Sequence, residues 1–225
     1  GDWKLVSKGR GSPWELYNIA EDRTERSNLS ARRPELTARL GKLWQAYAER
    51  ANVLPVYPRN TGKPKTFSRK QVFELKEGAT LEGSASPNVK GKRLQVNASL
   101  AAGHGDGVLL GHGGTADGYA LFVTDGRLAL AVRRDGKLQT VTAAGKLPGG
   151  GDLEVEAVLA KNGKVTLKAA GKVVGEGKVG GSMQRVPIDG LHVGNDGDAA
   201  VGNYKAPRKF SGTIKKLTLR LGKAR

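Results

Sequence analysis

The sequence predicts a mainly β protein: an antiparallel β-sandwich over residues 67–225, preceded by a small α+β unit, a hairpin plus one helix, over residues 1–58. Three observations carry this reading. Beyond residue 90 apolar and polar residues alternate, as in Leu94, Val96, Ala98 and Leu100 against Arg93, Gln95, Asn97 and Ser99, the pattern of a strand with one face in a core. Asp125-Gly126, Asp135-Gly136 and Asn162-Gly163 are two-residue hairpin signals between such runs. About a dozen short strands at roughly 8–12-residue spacing fit a sandwich rather than alternating βα units.

Taken in order, Asp2 to Val6 sets Trp3 and Leu5 against Lys4, a short half-buried strand. Gly9, Gly11 and Pro13 supply a turn, and Trp14 to Ile19 is a second strand. Asp22 and Glu25 have capping-box spacing, but no apolar run follows, so a turn is expected. A helix begins at Pro34, with Glu35 at the positive end of its dipole. Leu36, Leu40, Leu43, Trp44, Tyr47, Ala48 and Ala51 form one apolar stripe, expected to be core, and Asn52, Pro55 and Pro58 end the helix. Residues 59–66 read as a polar linker. Such a small unit has a thin core for the two Trp of its hairpin and the apolar stripe of its helix, so it is expected to pack on something larger. In the second segment Tyr119, Leu121 and Val123 alternate, and Asp125-Gly126 joins them to Leu128, Leu130 and Val132. Leu153, Val155, Ala157 and Leu159 pair across Asn162-Gly163 with Val165, Leu167 and Ala169. In the last strand Ile214 is out of phase with Leu217, Leu219 and Leu221, which predicts a bulge.

Composition narrows function. The chain has 225 residues and no cysteine, which removes disulfides, thiolate metal sites and a Cys nucleophile. No run approaches the roughly 18 apolar residues needed to cross a bilayer, so no membrane span is expected. The chain opens inside a strand-like motif with no basic-then-apolar leader, and Gly1 is expected to mark a cut in a longer chain. The formal charge is +17: residues 1–60 hold 11 Lys/Arg against 7 Asp/Glu, and the rest 27 against 14. Such a surface attracts polyanions. Nucleic acid is not the expected partner, because aromatic residues are not interleaved with basic ones and no helix is strongly basic.

Four N-terminal motifs stand in order: Gly1–Leu5 (Gly-Asp-Trp-Lys-Leu), Trp14–Asn18 (Trp-Glu-Leu-Tyr-Asn), Glu25–Leu29 (Glu-Arg-Ser-Asn-Leu) and the Pro-Glu helix with Trp44. Together they resemble the C-terminal subdomain of sulfatases, the alkaline-phosphatase-like hydrolases of sulfate esters. The resemblance implies a four-stranded sheet plus helix that buttresses an N-terminal catalytic domain, and a bacterial arylsulfatase as parent. Such a parent uses formylglycine and a divalent cation. This chain has no Cys/Ser-x-Pro/Ala-x-Arg pentapeptide and none of the family's Asp-Asp or Asp-Asn metal pairs, so no cofactor and no catalysis are expected here. In the second segment, Gly107–Gly114 followed by Asp117–Val123 and Asp125–Leu130, then Gly194–Asp196, Tyr204, Pro207 and Phe210–Ile214, resembles laminin-G-like or concanavalin-type jelly rolls. The two resemblances agree on a periplasmic or secreted protein.

Candidate sites are few. The glycines around His104 lack the strand-before, helix-after context of a phosphate loop and read as a turn. His104, His112 and His192 read as three separate surface or turn histidines. Asn195, Asp196 and Asp198 share one Gly-rich loop; laminin-G-like folds hold calcium on one or two Asp plus carbonyls, and the same cluster is ordinary turn chemistry. The three Trp all precede the sandwich, which leaves it poor in sugar-stacking platforms. A charge-reading surface for sulfated glycan would draw on Arg133, Arg134, Lys137, Arg208, Lys209, Lys215, Lys216 and Arg220. The expectation is the non-catalytic C-terminal part of an arylsulfatase-like sulfuric ester hydrolase, supporting a separate catalytic domain and holding anionic substrate. The alternative is a free-standing glycan- or polyanion-binding β-sandwich.

Overall fold

The computed structural model describes residues 1–9, 11–51 and 66–222. They fall into two compact units, Gly1–Lys63 and Pro64–Arg225. The expected helix stop at Asn52, Pro55 and Pro58, and nearly all of the 59–66 linker, lie outside the described residues.

In the first unit β1 (Trp3–Val6) pairs antiparallel with β2 (Glu15–Asn18), placing Leu5 opposite Leu16. Leu16 and Tyr17 are buried. The chain then doubles back: Asn28 Oδ1 accepts the Leu16 N–H at 3.1 Å, and the Leu29 N–H donates to the Leu16 carbonyl at 2.7 Å. The 22–27 segment is the expected turn, closed by the Ser27 N–H donating to Asp22. Helix α1 (Pro34–Arg50) starts on proline with no side-chain cap. The sheet has two strands among the described residues, not the four that the sulfatase resemblance implied. The apolar stripe is also less buried than expected. Ala48 is the one fully buried residue of α1, Trp44 meets Trp14 edge to face at 5.5 Å, and Leu43 and Tyr47 stand 62% and 55% exposed. A two-stranded ribbon is too narrow to cover a stripe that wide.

The second unit is a sandwich of two six-stranded antiparallel sheets. One has the order β12 (Lys172–Lys178), β11 (Lys164–Ala169), β10 (Leu153–Leu159), β5 (Leu94–Leu100), β14 (Ile214–Leu221), β3 (Val72–Leu75). The other has the order β4 (Thr80–Leu81), β13 (Leu191–Val193), β6 (Gly107–Gly113), β7 (Gly118–Thr124), β8 (Arg127–Arg134), β9 (Lys137–Thr142). The alternation read from the sequence sets the register: Val96 faces Ala157 and Leu219, and Leu159 faces Val165 across the hairpin. The expected bulge lies between Ile214 and Lys216. Asp125-Gly126 and Asp135-Gly136 both take positive φ at their two positions, as a type I′ hairpin turn requires. Inward side chains of both sheets form one core that includes Leu94, Val96, Leu110, Leu121, Leu130, Val155, Leu167 and Leu219.

The outer faces differ. On the first sheet the outer face is polar: Gln95 and Asn97 donate to Glu156 at 2.7 and 3.1 Å, and Lys168 pairs with it at 3.0 Å. On the second sheet the outer face is apolar and small. Val108, Ala120, Phe122, Ala129 and Ala131 pack beneath Val201, with Tyr204 edge-on to Phe122 at 5.1 Å. The 194–210 connection therefore runs over that sheet as a second layer, and β6 and β7 are buried on both sides.

Candidate functional site

The eight basic candidates do not form one surface. Arg133 and Arg134 are successive strand residues and point to opposite sides of β8. Arg133 donates to the Val201 carbonyl at 2.9 Å and to the Gly136 carbonyl, so it fastens the covering loop. Arg208 lies over the Tyr204 ring at 5.6 Å and donates to Thr124 Oγ1. Lys215 is bound to Asp152, whose carboxyl is held below its usual range by that contact, and Lys216 lies 3.4 Å from Glu74. Lys209 and Arg220 are exposed, and Arg220 shares the outer side of β14 with Lys216, four residues and about 13 Å away.

Arg134 and Lys137 are brought together. They flank the Asp135-Gly136 turn that joins β8 to β9, and they line a surface recess of about 620 Å3 with Asp135, Leu138, Gln139, Gly180 and Gln184. The recess is built from the hairpin and the 180–184 segment. Arg134 donates to the Gly180 carbonyl at 2.6 Å, and the Gly180 N–H donates to Gln139 Oε1 at 2.8 Å. These bonds fix one edge of the guanidinium and the amide, leaving further Arg134 N–H groups and the Gln139 NH2 as donors. Gln184 donates to the Ser182 carbonyl, which leaves its own oxygen as an acceptor. Asp135 is engaged by Arg185 at 2.9 Å, which offsets the one negative charge of the lining. A fixed guanidinium, the exposed Lys137 ammonium and the Gln139 NH2 suit the oxygens of a sulfate or carboxylate group on a sugar, and the Gln184 oxygen is left to accept from a sugar hydroxyl.

The three loop residues considered for a metal have separate tasks. Asn195 Oδ1 accepts the Gly197 N–H at 2.8 Å in a local turn, and Asp198 is exposed. Asp196 is 2% exposed and fastens the covering loop: its Oδ2 accepts from Val201 N–H at 2.7 Å and Tyr204 O–H at 2.6 Å. Its neighbour on the sheet is Gly111, where a Cβ would sit 1.9 Å from Asp196 Oδ1, so only glycine admits the carboxyl. Burial raises this carboxyl to about 6, against the opposing pull of the Tyr204 and Val201 bonds. No group of three His, Cys, Asp or Glu side chains converges as metal ligands do among the described residues.

One histidine is not where the sequence placed it. His112 is wholly buried in β6, between Ser86 Oγ at 3.0 Å and Tyr119 O–H at 3.1 Å. The glycines beside it make room for neighbouring segments: a Cβ at Gly111 would meet Asp196 of the covering loop, and one at Gly113 would meet Asp117 and Pro187. Burial lowers the His112 pKa to about 3 and raises that of Tyr119. A period-two reading from Leu110 to His112 was the signal that could have found it.

No family model matches the chain, and no curated protein matches it in sequence. Among solved structures, domains LG4-5 of the mouse laminin α1 chain align with a TM-score of 0.50 and 20% identity, over 66% of this chain and 40% of that one. CBM40 of Ruminococcus gnavus IT-sialidase bound to α2,3 sialyllactose aligns with a TM-score of 0.47 and 17% identity, over 67% of this chain and 89% of that one. This chain thus spans well under half of the laminin structure it resembles. At this identity the likeness is one of fold, and the second unit is a laminin-G-like jelly-roll β-sandwich.

Proposed function

We propose that the second unit is a non-catalytic module that holds an anionic glycan, with its sulfate or carboxylate groups in the recess between the β8–β9 hairpin and the 180–184 segment. The observation that carries this is the convergence of Arg134, Lys137, Gln139 and Gln184 on one recess. Most of the other basic candidates are engaged by carboxylates, carbonyls or an aromatic ring. The 195–198 loop serves as a fastener rather than a calcium site in this reading.

The finer assignment follows from the four N-terminal motifs: the chain is the C-terminal part of a periplasmic or secreted arylsulfatase, and a catalytic domain covers α1. The exposed Leu43, Trp44 and Tyr47 support it, since an apolar helix face of this size is normally covered.

The test is a titration of the chain and of an Arg134→Ala/Lys137→Ala variant with a sulfated oligosaccharide. Lys216→Ala/Arg220→Ala serves as the control of equal charge loss. Binding weakened about tenfold or more in the first variant and little in the second supports the recess. Equal weakening in both would refute it.

A further inference from the structure

Three polar side chains of the basic recess stand in a core register. In β8 the side chains of Leu128, Leu130 and Val132 face the core, and strand pairing sets Leu130 opposite Val141, Val132 opposite Gln139 and Arg134 opposite Lys137. Arg134, Lys137 and Gln139 therefore continue the inward-facing set at the end of the sandwich. Polar residues in such a register are a departure that sequences keep at functional sites.

Their partner is Gly180, which reaches Arg134 and Gln139 from the other sheet. It follows β12, and its segment is pinned there. The Val179 N–H donates to the Gly163 carbonyl at 2.9 Å, the Ser182 N–H donates to the Lys161 carbonyl at 3.1 Å, and Val179 and Met183 are buried. From this fixed place the Gly180 carbonyl holds Arg134 and the Gly180 N–H holds Gln139. The missing side chain matters as much. A Cβ at Gly180 would sit 1.8 Å from Arg134 Nη2 and 3.0 Å from its Cζ, so the guanidinium occupies the space that any other side chain would take. The next atom, Gln139 Oε1, is an ordinary 3.4 Å away, and Gly180 is not at positive φ. Space, not backbone conformation, is what requires glycine here.

We propose that Gly180 is the positioning residue of the basic recess. It seats the Arg134 guanidinium against its backbone, so that the remaining N–H groups meet a sulfate or carboxylate group in one orientation. This rests on the reading of the recess as an anionic-glycan site. A Cβ would push the guanidinium back by roughly 1.5 Å to reach ordinary contact. Binding constellations tolerate only about 0.5 Å of such displacement. Gly180 thereby separates an oriented contact from general attraction to polyanions, which needs charge alone.

The experiment titrates the full chain with a sulfated oligosaccharide and, separately, with duplex DNA at low salt. Gly180→Ala, Arg134→Lys and their combination all keep the parent charge. Gly180→Ala is expected to weaken the oligosaccharide at least about fivefold. It should leave DNA affinity within about twofold, because no charge is lost. Arg134→Lys, which lacks the planar fork, is expected to do the same. The combination should be weaker than Arg134→Lys by no more than about twofold, because Gly180 acts through the guanidinium, whereas a loss belonging to the loop itself would add. The urea midpoint of Gly180→Ala should stay near that of the parent, since the group that must yield is the end of a side chain. Arg134→Ala/Lys137→Ala tests the recess itself. If that variant weakens the oligosaccharide while Gly180→Ala binds normally, the role of Gly180 is overturned and the recess stands. The role is also overturned if the two losses add, if DNA affinity falls in step, or if Gly180→Ala unfolds the sandwich. If Arg134→Ala/Lys137→Ala binds as the parent does, the recess reading fails and the role of Gly180 with it.

Discussion

Lowering the pH sets two buried groups of the sandwich against each other. His112 has a pKa near 3 in the fold against 6.5 in the unfolded chain, so the unfolded state takes up its proton first. Stability is therefore lost progressively as pH falls from 6.5 towards 3, reaching about 5 kcal/mol in total. Asp196 works in the other direction. Its carboxyl is raised to about 6 from 3.8, so the folded state takes up its proton first, and stability is gained as pH falls from 6 towards 3.8. Over that shared window each contribution amounts to about 3 kcal/mol, and the two nearly cancel. Replacing one group should uncover the other. Asp196→Asn is expected to lose about 3 kcal/mol between pH 6 and pH 4 relative to the parent, and His112→Gln to gain about as much over the same interval. Each variant is compared with itself across pH, so the fixed cost of the substitution drops out, and surface carboxylates cancel against the parent. The assay is urea unfolding followed by far-UV circular dichroism, because all three Trp lie in the first unit and their fluorescence does not report on the sandwich. Parallel pH profiles for the parent and both variants would refute the opposition.

Three further outcomes follow from the packing. Gly111→Ala drives a Cβ into Asp196 Oδ1 and is expected to destabilise the sandwich by about 1–3 kcal/mol, read as a lower urea midpoint. Tyr204→Phe removes the 2.6 Å bond to Asp196 and is expected to cost about 1–3 kcal/mol. It also moves the Asp196 carboxyl further up, since that bond is the main force holding it down, and 13C NMR of the labelled carboxyl would show the move. Leu43→Ser with Tyr47→Ser removes exposed apolar surface and is expected to change first-unit stability, followed by Trp fluorescence, by no more than about 0.5 kcal/mol per site. A much larger loss would mean that these side chains are already covered.

The sandwich was legible because its signals are local. Alternation through Leu94–Leu100 and Leu153–Leu159 requires one buried face, Asp-Gly pairs fit the type I′ turn that closes such hairpins tightly, and the phase slip at Ile214 had nowhere to go but a bulge. The turn at Ala170-Gly171 passed unnoticed, because alanine at positive φ is not a turn signal. The layer of residues 194–210 over the second sheet was also hidden. Small residues at Gly111, Ala120, Ala129 and Ala131 make room for it, but they sit on three strands and become one surface only once β6, β7 and β8 pair. The basic candidates show the same limit. Charge said that cations were abundant, whereas only the register of β8 and β9 set Arg134 and Lys137 on one recess while Arg133 turned away to the loop.

The most direct measurement is the salt dependence of binding to heparin, to a matched unsulfated glycan and to duplex DNA, for the parent and the Arg134→Ala/Lys137→Ala variant. An anionic-glycan recess should keep its preference for the sulfated glycan as salt rises, and the variant should lose that preference. Equal binding to sulfated glycan and DNA, erased by salt alike in parent and variant, would reduce the charge of +17 to a nonspecific field and contradict the assignment.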